Sequence, residues 1–236
     1  MQQKLSNQSS VHSRGFYFFL SAQFLSALAD NALLFAAIAL LANMQAPVWH
    51  QPLLLQFFVI SYILLAPFVG AIADAFPKSN VMFFSNAIKL VGSLAMLAGV
   101  PPLYSYGIVG IGAASYSPAK YGILTELLPP KELVAANGWV EGLTVAAIIL
   151  GAIVGGIFAN FSPQIAIIII SFLYLAAAIC NRYIPFVPID HKLNTKNPIY
   201  LLKDFYTSLK KLWSGPLCQL SLVVTTLFWG AGATLR

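Results

Sequence analysis

Seven stretches of this chain, residues 16–41, 53–73, 81–100, 103–124, 138–159, 165–184 and 217–236, are apolar over most of their length. An α-helix needs about 20 such residues to cross the hydrocarbon core of a bilayer. In lipid every backbone N–H and C=O must be satisfied within its own segment, so apolar runs of this length fold as helices. Composition agrees: of 236 residues, 59% are hydrophobic and 8% charged, against roughly 25% charged in soluble domains. The expected fold is an all-α, multi-pass membrane protein.

The charges orient it. Lys4 and Arg14 precede the first stretch, Lys78 follows the second, and Lys120 and Lys131 lie at the end of the fourth and after it. Arg182, Lys192, Lys196, Lys203, Lys210 and Lys211 come at the end of the sixth and beyond it, whereas the loops 43–52, 101–104 and 160–163 carry no Lys or Arg. Positive residues concentrate on the cytoplasmic side, so the N-terminus and the even-numbered loops are predicted to be cytoplasmic. The net charge of +6 thus reflects topology rather than nucleic-acid binding.

The layout divides into a cytoplasmic tail (1–15), a six-helix bundle (16–184), a basic cytoplasmic linker (185–215) and one further span (216–236). Within the linker, YLLKDFYTSLKKLW places Leu201, Leu202, Phe205, Leu209, Leu212 and Trp213 at helical spacing with lysines opposite, the pattern of an interfacial amphipathic helix. Six close spans, a long basic loop and a seventh span match a two-bundle carrier cut after the first helix of its second bundle. The apolar stretch that ends at Arg236 without a polar tail is read the same way, as a truncated chain, with a seven-span protein in its own right as the alternative. Lys4, Arg14 and the small residues Ala27-Leu28-Ala29 mimic a signal peptide, but the apolar run resumes after Asn31, as in an uncleaved first span.

Between the second and third spans the chain reads GAIADAFPKSN, with Gly70, Asp74 and Lys78 at intervals of four. This resembles the cytoplasmic loop signature of the major facilitator superfamily, although Ala75 and Pro77 stand where a basic residue and a glycine are usual. The resemblance implies that Gly70 permits close helix contact, that Asp74 caps and charge-pairs across the cytoplasmic gate, and that Lys78 belongs to the same gate motif. AQFLSALADNALLFAAIALL (22–41), APFVGAIAD (66–74), YSPAKYGILTELLP (116–129), the ANG of 136–138 and LFWGAGATLR (227–236) resemble the bacterial lysophospholipid transporters of that superfamily. From Ala22 to Arg236 the likeness covers nearly the whole chain, but only the N-terminal part of such a transporter. It implies a twelve-helix facilitator fold in the bacterial inner membrane. It also implies inward movement of 2-acyl-glycerophosphoethanolamine (lysophosphatidylethanolamine), admits lysophosphatidylglycerol, and suggests coupling to a cytoplasmic-side acyltransferase/acyl-carrier-protein synthetase.

Asp30, beside Asn31, lies about 21 Å along the first span from Phe16. A carboxylate near the midplane is costly and is usually kept for a substrate, ion or partner charge; a locked structural hydrogen bond is the alternative. Arg236 is the partner this reading selects, because the first and seventh spans of a two-bundle carrier are pseudo-symmetry equivalents lining one cavity. Its guanidinium suits a phosphodiester or carboxylate. Lys120, in SPAKYG, either binds a headgroup or snorkels to the interface. Glu141 either favours the positive end of the fifth helix or pairs with Lys120. Lys89, about 12 Å into the third span, needs a partner that the sequence does not name. Glu126 and Glu132 read as loop residues without a special task. Gly151, Gly155 and Gly156 in LGAIVGG follow the small-xxx-small pattern of close helix packing.

Cys180 and Cys218 form neither a disulfide framework nor a metal set, and no cofactor is expected. The chain has no G-x-x-x-x-G-K-[ST], G-x-S-x-G or H-E-x-x-H, and none of His12, His50 and His191 is followed by Asp at the fifth position. The reading is therefore a carrier rather than an enzyme. Two alternatives remain: a drug or small-metabolite exporter of the same fold, and a non-transporting membrane anchor for an acyltransferase.

Overall fold

A computed structural model describes residues 11, 13–186 and 198–234. Among these residues the regular structure is helical: α1 (Arg14–Asn43), α2 (His50–Ala75), α3 (Lys78–Leu97), α4 (Pro102–Leu127), α5 (Leu133–Phe161), α6 (Pro163–Arg182), α7 (Pro198–Ser214) and α8 (Pro216–Thr234), with a 3-10 turn at Pro130–Glu132. Local chemistry sets the boundaries. Ser13 caps α1 by accepting the Phe16 N–H, and Ser162 caps α6 by accepting the Ile165 N–H. Pro77 and Pro101 directly precede α3 and α4, where a missing N–H costs nothing. After α3 the chain turns through Gly99 at φ +91°, a conformation that favours glycine.

The chain forms two compact units, residues 1–192 and 193–236. In the first, α1 packs chiefly on α5 and α6, α4 on α2 and α3, and α3 on α6. Exchanging α1, α2 and α3 for α4, α5 and α6 maps this contact pattern onto itself. Because three spans separate each equivalent pair, the two triplets run in opposite directions, an inverted repeat of the kind that builds carrier bundles.

Among the described residues five helices, α1, α2, α3, α5 (with its leading turn) and α6, are long and apolar enough to cross a membrane. Although α4 has 26 residues, it is rich in Gly, Ser and Tyr, and more than half of its residues are buried. The helices at the periphery carry the lipid-facing surface instead. Val59, Ile60, Ile63 and Leu64 on α2 are exposed, as are Val145, Ile149, Ile153 and Ile157 on α5 at steps of four.

Absent side chains let the helices meet. A Cβ on Gly155 would lie 2.7 Å from Ala32 Cα, and one on Gly151 would lie 2.7 Å from Asn31 Cβ, so α5 rests directly on α1. Gly110 brings α4 onto the Phe58 backbone of α2, and Gly112 brings it onto Ser85 and Lys89 of α3. A Cβ on Gly156 would meet nothing within 4 Å, so the close approach belongs to Gly151 and Gly155 and not to the third glycine of that string. The same is true of Gly70, which makes no close helix contact among the described residues.

In the second unit Gly215 separates α7 from α8. The apolar part of α8, Pro216–Phe228, is shorter than a full span among the described residues. Arg236 lies outside them.

Gly155→Ala is expected to lower the thermal midpoint of the detergent-purified protein, through an overpacking cost of roughly 1–3 kcal/mol. Gly156→Ala should leave the midpoint unchanged. Thermal unfolding of both variants side by side is the check.

Candidate functional site

Asp30 stands about 24 Å along α1 from Arg14, near the middle of a helix about 45 Å long. One turn earlier on the same face is Ser26. On α3, Asn86 and Lys89 are three residues apart and also share a face. The bundle brings these faces together. Lys89 Nζ donates to Asp30 Oδ2 at 2.7 Å and to Ser26 Oγ at 2.9 Å, and Ser26 Oγ donates to Asn86 Oδ1 at 2.7 Å. From α6, the Tyr174 hydroxyl donates to Asp30 Oδ1 at 2.8 Å. The ammonium also lies 5.0 Å from the centroid of the Tyr116 ring on α4 and 5.8 Å from that of Tyr174, within cation–π range. Four helices thus converge on one charge pair.

Burial divides the pair unequally. The Lys89 side chain is 2% exposed and that of Asp30 is 21% exposed. Lys89 is therefore enclosed, with its stem packed where Gly112 leaves room, while the carboxylate keeps an open edge. Each oxygen of a carboxylate accepts two hydrogen bonds, so the two donors in place leave acceptor positions on Asp30. Two further polar atoms around the pair, Asn86 Nδ2 and the Tyr116 hydroxyl, are buried without a partner among the described residues.

Asp30 is the partner of Lys89 that the sequence left unnamed, and the two lie in the same bundle. Arg236, the partner selected from the sequence, is outside the described residues. The Asn31 amide turns back to its own helix, donating to the Ala27 carbonyl at 2.7 Å, and its Cβ faces Gly151.

A second cluster lies further along α4. The Tyr121 hydroxyl donates to Glu141 Oε1 at 2.8 Å, and Lys120 Nζ stands 4.3 Å from the Tyr121 ring centroid. Lys120 and Glu141 are thus linked through Tyr121, and no direct ion pair joins them among the described residues. Lys120 is buried rather than at an exposed interface.

A third cluster holds the loop motif. Lys78 pairs with Asp74 at 3.8 Å and makes a closer contact with Glu126 of α4. Gly122 provides the space for the lysine stem; a Cβ there would lie 2.5 Å from Lys78 Cε. Glu126 is therefore an ion-pair partner, contrary to its reading as an idle loop residue. Glu132 also has a task, accepting the Val11 N–H at 2.8 Å. The sequence held one usable signal for the central pair: Ser26/Asp30 and Asn86/Lys89 each fall at helical spacing within a membrane-length span.

The first unit is thus an inverted-repeat bundle of membrane-length helices with an ion pair between its first and third helices. The family description of the Major Facilitator Superfamily matches residues 19–235, and the chain belongs to that superfamily. Over all 236 residues it is 45% identical to the lysophospholipid transporter LplT of Serratia proteamaculans. It is 44% identical over the same length to proteins of that name from Enterobacter sp. and Escherichia coli O1:K1. The chain spans 59% of the length of these relatives. Membership in a transporter superfamily makes it a carrier component and not an enzyme.

Replacing Lys89 by Met should cost about 3 kcal/mol, the low end for breaking a buried ion pair, because Asp30 retains some exposure. Adding Asp30→Asn to that variant should restore part of the loss. A double-mutant cycle read by thermal unfolding measures both. For the loop cluster, Glu126→Gln should lower stability more than Asp74→Asn, since the Glu126 contact is closer and Asp74 is 67% exposed.

Proposed function

We propose that this chain is part of a carrier that moves lysophospholipid from the outer to the inner leaflet of the bacterial inner membrane by alternating access. The observation that carries the reading is the open edge of Asp30 at mid-depth, with its charge already half-satisfied by an enclosed lysine. The names of the relatives supply the cargo class.

The proposed cargo is 2-acyl-glycerophosphoethanolamine, with lysophosphatidylglycerol admitted. A zwitterionic headgroup presents an ammonium, for which Asp30 has free acceptor positions, and a phosphodiester, for which a cation is needed. Lys120 and Arg236 take the second role. Guanidinium geometry suits two phosphate oxygens at once, and binding near the midplane is the rule for carriers built from inverted repeats. Glu141, joined to Lys120 through Tyr121, adjusts that cation's position. Lys78 with Asp74 and Glu126 forms part of the cytoplasmic gate. The N-terminus is cytoplasmic in this account, following the distribution of Lys and Arg. The delivered lysolipid lacks one acyl chain, so an acyltransferase on the cytoplasmic side is its natural consumer.

Spheroplasts without a lysolipid carrier of their own, expressing a version extended past Arg236, are expected to take up labelled 2-acyl-glycerophosphoethanolamine. Asp30→Asn should reduce that uptake by about ten- to a hundredfold, the worth of one charge-assisted hydrogen bond. Absence of uptake by a well-expressed parent would sink the lysolipid assignment and bring the drug-exporter reading forward.

A further inference from the structure

The basic linker has a shape that carrier function does not use. On α7 the apolar residues from Leu201 to Trp213 fall within an arc of about 140° at 100° per residue, and every polar residue of that stretch falls in the remainder. Leu202, Phe205, Tyr206, Leu209, Leu212 and Trp213 are between 40% and 67% exposed. Lys203 and Lys210 sit at one border of the arc and Lys211 behind it, with Asp204 the only acid of the helix, for a net charge of +2.

We propose that α7 lies in the plane of the membrane surface, with its apolar arc among acyl chains and its lysines on anionic phospholipid headgroups. Chain connectivity supports the lipid as occupant. Gly215 alone separates α7 from the apolar helix α8, so once α8 enters the bilayer the Trp213 end of α7 is held at the interface. Trp and Tyr favour that depth, and lysines at the arc's border can reach headgroups while their stems stay in the apolar layer. Each lysine near an anionic surface is worth roughly fivefold in association, so the three lysines make the docking sensitive to lipid charge.

Nitroxide labels test this in the full protein, extended past Arg236 and reconstituted in phosphatidylcholine vesicles with or without phosphatidylglycerol. One label is placed through Leu209→Cys on the arc and one through Thr207→Cys on the polar face, in a Cys180→Ala, Cys218→Ala background. With phosphatidylglycerol, the label at 209 should collide severalfold more with oxygen than with a water-soluble nickel chelate, and the label at 207 should show the reverse. Lys203→Glu, Lys210→Glu and Lys211→Glu together should erase most of that contrast. Equal access of both labels to the nickel reagent would overturn the proposal by showing a solvated helix. Protection of the label at 209 from both reagents would overturn it in favour of a protein partner, and a contrast indifferent to lipid charge and lysine reversal would refute the role of the headgroups.

Discussion

An ammonium and a carboxylate at bilayer depth each carry a desolvation cost of several kcal/mol, which only close mutual contact and further hydrogen bonds can offset. The first bundle is organised around that requirement. Lys89 must reach Asp30, so α3 and α1 are held at one relative height, and the Tyr174 hydroxyl draws α6 to the same level. The glycines follow from it: without the gap at Gly112, α4 would displace the backbone and stem that carry the lysine. Ser26 and Asn86 complete the ammonium's surroundings, so the charge is enclosed rather than merely paired.

The placement of the pair reflects the repeat. Lys89 and Tyr174 each stand eleven residues beyond the first residue of two 20-residue helices that exchange under the inverted repeat. They occupy one position twice, once as a cation and once as a phenol. The chemistry around the network is unequal: α1 contributes a carboxylate, and α4 the face of Tyr116. Symmetric architecture thus carries asymmetric chemistry around the Lys89–Asp30 pair.

Much of the architecture was legible because lipid leaves few options. Long apolar runs had to be helices, the lysine distribution supplied an orientation, and Asp30 stood out by its cost alone. The spacing of Leu201, Leu202, Phe205 and Leu209 likewise foretold the helix α7. What the sequence withheld depends on tertiary proximity. Lys89 and Asp30 are 59 residues apart, and nothing local says that α1 and α3 meet at that height. Glu126 looked idle because its partner Lys78 lies 48 residues earlier. Gly155 and Gly156 are adjacent and chemically identical, yet only one faces α1. The fourth span also looked like its neighbours, but its Gly, Ser and Tyr content belongs to a helix that faces protein more than lipid.

The central claim is that Asp30 is neutralised from within its own bundle by Lys89. Solid-state NMR of the reconstituted protein, with 15N-labelled lysine and 13C-labelled aspartate, tests it through the dipolar coupling between Lys89 Nζ and Asp30 Cγ. A strong coupling that vanishes in Lys89→Arg, together with a charged-ammonium shift, is the predicted result for atoms in hydrogen-bond contact at 2.7 Å. No coupling, or a Lys89 resonance of the neutral amine, would contradict the account and return Asp30 to the position of a carboxylate awaiting a partner elsewhere.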